Sequence, residues 1–139
     1  MTYWERQESI ITLGGWNGTH LNEAKQFKIE KNQWKALPSL PENIYGSSAS
    51  VLNDVVFNIV GVGSTNSACW LDLLSKKRKW NSVKTLSSFS GHWMRNATVV
   101  NSKIVYFGSW TEDKSTYILE QKGKRGNLEV RSTFQQLIS

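Results

Sequence analysis

Apolar positions along this chain come in short bursts separated by polar stretches, and no stripe of period 3.6 is long enough to make an extended helix. Residues 132–138 alone could pass for a short helical turn. Three of the bursts run into glycine: residues 10–13 into Gly14 and Gly15, residues 55–60 into Gly61, and residues 104–107 into Gly108. Gly61 follows Gly14 by 47 residues, and Gly108 follows Gly61 by the same interval. Leu73 stands 46 residues after Phe27, and Trp80 stands 46 after Trp34. Self-similarity at this period is the sequence sign of a propeller or array.

The pattern predicts strands over residues 9–15, 23–29 and 33–37, then 47–52, 55–61, 68–73 and 80–83, then 96–100, 103–107, 116–120 and 128–131. Asn53-Asp54 and Asn101-Ser102 are the tight hairpin turns of the second and third copies. Residues 1–6 lie before the first apolar run at a distance too short for a preceding copy, and read as a truncated start. Glycine at the end of the recurrent strand suits a backbone at positive φ or in close approach at a crowded centre. The aromatic and the Trp seven residues beyond it are packing residues, each with enough apolar surface to cover a neighbouring layer. The class is all-β.

On Gly14-Gly15, Phe27, Trp34 and Leu37-Pro38, the first copy resembles the kelch repeat. The second keeps Gly61, Leu73 and Trp80, with Val62 in place of the second glycine. The third has Gly108-Ser109 and Tyr117, and no Trp near Asn127. The resemblance implies a partial kelch-type β-propeller of about three blades in a single domain, residues 1–139. Blade one spans about 9–38, blade two about 47–84 and a degenerate blade three about 95–131. Rings of this kind close with about four to eight blades, so 139 residues supply a portion of one. Two open blade faces follow, and the chain is expected to be a piece of a longer propeller or one half of a homodimer that completes a ring.

Seven Trp suit stacked sheets, and an apolar content of 39% with two Pro argues against disorder. The lone Cys69 excludes an internal disulfide and reads as a small strand residue. No run is apolar enough to be a signal segment or to span a membrane, so the expected location is cytoplasmic.

Antiparallel strands reverse direction at each step, so the connections of four-stranded blades fall alternately on two faces. One face receives the links between second and third strands and the crossings between blades. Its candidate partner-binding residues are Trp16, Asn17, His20, Tyr45, His92, Trp93, Arg95 and Trp110. They mix aromatic, imidazole and hydroxyl-rich surroundings suited to a binding hot spot, and the resemblance implies the same use for this face. Packing against neighbouring loops is the plainer alternative for Trp16, Trp93 and Trp110. The other face receives Lys76, Lys77, Arg78 and Lys79 with Lys122, Lys124 and Arg125, which concentrates the net charge of +6 on one side. It suits an acidic filament or an anionic membrane, with solvated turns as the plain alternative. No aromatic interleaving accompanies the run, so sequence-specific nucleic-acid recognition is not expected.

Some kelch propellers are copper oxidases, a chemistry that needs a Tyr-Cys pair, a second Tyr and two His on one metal. His20 and His92 are the only imidazoles and Cys69 lies mid-strand, so no metal or other cofactor is expected. No nucleophile elbow, phosphate loop or separated carboxylate pair is present. The expected function is binding of a protein partner without catalysis. The alternatives are a portion of a propeller enzyme acting on a sugar or small molecule, and a structural module docking through its basic face.

Overall fold

A computed structural model describes residues 1–43, 46–59, 68–83, 96–107 and 115–135, with the side chains of residues 20, 115 and 132–135 outside that description. The chain forms three four-stranded antiparallel sheets, each a simple meander in chain order. The first contains β1 (Thr2–Trp4), β2 (Ser9–Trp16), β3 (His20–Lys28) and β4 (Gln33–Leu37). The second contains β5 (Ser48–Leu52), β6 (Val55–Ile59), β7 (Ala68–Asp72) and β8 (Asn81–Ser82). The third contains β9 (Asn96–Val100), β10 (Lys103–Phe107), β11 (Ser115–Gln121) and β12 (Leu128–Gln135). An all-β fold is what the short apolar bursts require.

The second sheet is the middle layer. Successive side chains of a strand point to opposite faces, and all five residues of β6 are buried, so β6 is covered on both sides. Val56 joins Trp4, Ile11, Leu13, Ala24 and Leu37 in a core between the first and second sheets. Val55, Phe57 and Ile59 join Ile104, Tyr106, Leu119 and Leu128 in a core between the second and third. The first strands of the sheets also come together, with β5 in contact with both β1 and β9.

Three sequence expectations are revised. The segment read as a truncated start contains a strand: Thr2–Trp4 pair with Ile11, Ile10 and Ser9 as the first strand of the first sheet. The distance to the first apolar run is short because Thr2–Trp4 belong to the same sheet as that run and not to a preceding copy. Residues 132–135 continue β12 rather than turning into helix. Beyond a register shift between Ile118 and Leu119, residues 132–135 pair with residues 115–118 of β11, which carries the strand past the sequence-predicted end. Leu73 lies in the turn after β7, whereas Phe27 lies within β3. The basic run lengthens this link from the four residues of 29–32 to the eight of 73–80, so the residue paired with Val56, as Phe27 is paired with Ile10, is Leu71 and not Leu73.

Gly14 and Gly15 have φ of 63° and 135°, at a register shift between Leu13 and Gly15. A Cβ on Gly15 would meet only Leu21, at 3.7 Å. Backbone conformation, not crowding, is what requires glycine there. Gly61 and Gly108 lie outside the described residues.

Candidate functional site

The β2–β3 ladder runs to its last pair, Trp16 opposite His20, and the chain turns through Asn17, Gly18 and Thr19. Gly18 supplies a φ of 106°, and the Asn17 amide donates to the Thr19 carbonyl at 3.2 Å. The turn holds the Trp16 side chain outward, 60% exposed. Of the eight partner-binding candidates, the structure thus brings Trp16, Asn17 and the backbone of His20 together. Tyr45, His92, Trp93, Arg95 and Trp110 lie outside the described residues.

The links at the other end of the sheets touch one another. Asn53 donates its side-chain amide to Gln121 at 2.9 Å, joining the β5–β6 turn to β11. Arg125, in the β11–β12 turn, forms a two-pronged pair with Asp72 at 2.8 and 3.1 Å. That guanidinium holds the Asp72 carboxyl below its ordinary range despite partial burial. Gly126, at φ 85°, lies directly against the indole of Trp70. Asp54 accepts from the Arg6 guanidinium and the Trp4 indole, both at 2.8 Å, which ties the first sheet to the second. Arg6 is the larger cause and Trp4 the second that hold the Asp54 carboxyl below its usual value.

The basic residues accordingly divide. Arg125 is committed to Asp72 and Arg78 to the Leu73 carbonyl at 2.8 Å, while Lys76, Lys77, Lys79, Lys122 and Lys124 are exposed. The same end also carries Glu5, Glu8 and Glu30 from the first sheet. The positive excess therefore belongs to the second and third sheets. Recognising β1 would have revealed this, because its link to β2 delivers Glu5, Arg6 and Glu8 to that end.

The structural repeat residues diverge as well. Trp80 is 7% exposed and its indole donates to the Pro38 carbonyl at 2.7 Å, across to the segment that follows the first sheet. Trp34 is 59% exposed and stacks obliquely on Phe27, centroids 5.0 Å apart. Both read from the sequence as packing residues, and the open face expected of such a fan is the one that carries Trp34.

Between β1, β5 and β9 lies an open groove of about 890 Å³, lined by Thr2, Arg6, Ser50, Asp54 and Thr98 among others. Among the described residues, no three His, Cys, Asp or Glu side chains gather as metal ligands, and no helix is long and apolar enough to cross a membrane. Cys69 is buried, and burial pushes its thiol up to about 12. Compared with known proteins, the chain matches no family model and no curated protein.

Proposed function

We propose that the chain is a three-blade portion of a kelch-type β-propeller that binds another protein and carries out no catalysis of its own. The observation that carries this reading is Trp16: a large aromatic side chain, 60% exposed, on a turn whose shape the β2–β3 ladder fixes. An aromatic presented by a hydrogen-bonded turn beside Asn17 and Thr19 offers apolar area, with hydrogen-bonding groups at its rim.

Affinity capture from native extract, with bound proteins quantified by mass spectrometry, tests it. A specific partner should be retained by the wild-type chain and lost with Trp16→Ala, while Lys76→Glu with Lys77→Glu leaves capture intact. Retention of every specific partner by Trp16→Ala would remove this face from the function.

The exposed lysines favour a second reading, docking on an acidic filament or an anionic membrane. Arg125 pairs with Asp72 and Gly126 lies against Trp70, so the β11–β12 turn abuts the second sheet, which supports grouping Lys122 and Lys124 with Lys76 to Lys79. Binding of this kind weakens steeply as salt rises. In the same capture, a partner released by moderate salt and by the double lysine variant, yet indifferent to Trp16→Ala, would replace the first reading with this one.

A further inference from the structure

Each sheet carries one apolar row that crosses it in register. In the first it is Tyr3, Ile10, Phe27 and Trp34. In the second it is Val51, Val56 and Leu71, and continuing the β7–β8 register sets Trp80 opposite Leu71. In the third it is Val99, Ile104, Leu119 and Val130.

The second and third rows point the same way, toward the preceding sheet. Val56, Leu71 and Trp80 lie in one core with Ile11 and Leu37 of the first sheet, and Ile104 and Leu119 lie in one with Phe57 of the second. The first row is built to the same plan, yet among the described residues no sheet covers it. Tyr3 is 51% exposed and Trp34 59%, whereas Trp80, in the equivalent place, is 7% exposed and bonded to Pro38.

At the far end the complementary half of the contact is left over. The face of β6 that meets the third sheet is made by Val55, Phe57 and Ile59. The matching positions of β10 are Lys103, Val105 and Phe107. Val105 pairs with Ile118 and Lys103 with Val100 on this outward side, where Phe107 is 37% and Val100 50% exposed. Among the described residues, the first sheet thus presents a face of the kind that elsewhere packs on a preceding sheet, and the third presents a face of the kind that elsewhere serves as one.

We propose that these two faces meet between two copies of the chain: the third sheet of each covers the Tyr3–Ile10–Phe27–Trp34 row of the other, closing a ring of six sheets by twofold symmetry. A twofold axis forms the contact twice and leaves no end open. Six lies within the range of about four to eight that such rings adopt. Some of the charged groups beside these faces are paired within the chain, Lys25 with Glu23 at 2.7 Å, and Glu120 with Lys122 and Arg131 at 3.2 and 3.3 Å, while Lys103 lies on the outward face itself. The inference rests on how the sheets stack and is independent of the protein-binding reading.

Light scattering after size exclusion, over a wide range of concentration, tests it on the full chain. The wild-type mass should plateau at twice the 15.8 kDa of one chain. Trp34→Glu and Phe107→Glu, each on an opposite face and each checked for native circular dichroism, should both fall to the mass of one chain. A wild-type chain of single mass, a mass that climbs without a plateau, or a dimer that survives both folded variants would overturn the proposal.

Discussion

Single residues show where the chain tolerates no change. Gly126 has φ 85° and its Cα lies against Trp70, so a methyl group there would both force an L-residue into the left-handed region and overlap the indole. Gly126→Ala should lower unfolding free energy by at least about 2 kcal/mol, combining backbone strain with overpacking, as measured by urea denaturation. An unchanged midpoint would mean the turn shifts away from Trp70 without penalty. Cys69 is governed by burial, which raises its thiol to about 12 against a lesser downward pull from the Asn58 side chain. Reaction with a disulfide reagent at mildly alkaline pH should be slow until denaturant opens the second sheet. Gly14 and Gly15 were legible in the sequence because positive φ restricts a position to few residue types, and their φ values bear this out. That Trp34 lies on the open side of its sheet was not, because which face a strand residue occupies depends on register and on what stands next to the sheet.

Among the elements, the two-residue hairpins were the easiest to read. Asn53 and Asp54 both adopt positive φ, at 52° and 60°, and Asn101 and Ser102 do so at 49° and 60°, as turns matched to strand twist require. The β1–β2 link was hidden because it uses a short 3-10 turn, Glu5–Gln7, with Glu8 at φ 43° and no glycine to mark it. That link converges on the β5–β6 hairpin through Asp54, the shared acceptor for Arg6 and for the buried indole of Trp4. Asp54→Ala should destabilise by about 1–3 kcal/mol, since it leaves a buried donor unpaired. Asp54→Asn, which keeps an acceptor and tolerates positive φ, should cost less. The folded-state pKa values of Asp54 and Asp72 are both lowered. Their contribution is thus complete above the ordinary carboxylate pKa of about 3.9 and is lost as pH falls below it through the folded values, because the unfolded chain then binds more protons. Stability measured from pH 6 down to pH 2 should decline through that window, and Asp54→Asn should flatten the decline. An equally steep decline in the variant would assign the acid sensitivity to other groups.

At the scale of the whole molecule, the two cores share only the second sheet, so the chain should behave as three layers coupled to nearest neighbours. The repeat period made the three layers visible in the sequence. Their open ends followed from counting, but the identity of the rows that couple them needed strand register, because shifting a strand by one residue exchanges its faces. Adjacent residues of β6 make this testable. Val56 and Phe57 are both fully buried, yet Val56 belongs to the core with the first sheet and Phe57 to the core with the third. Truncating either creates a cavity costing on the order of 2 kcal/mol or more. The effects should part by direction. In hydrogen exchange, Val56→Ala should accelerate amides of β2 and β3 ahead of those of β10 and β11, and Phe57→Ala should do the reverse. The order matters more than the size, because a cooperative unit opens at the interface that has been weakened. If both variants loosened the same outer sheet first, the three-layer coupling would be wrong even though the strands themselves were correctly placed. If each loosens its own neighbour, residues next to each other in sequence will have been shown to hold opposite sides of the molecule together.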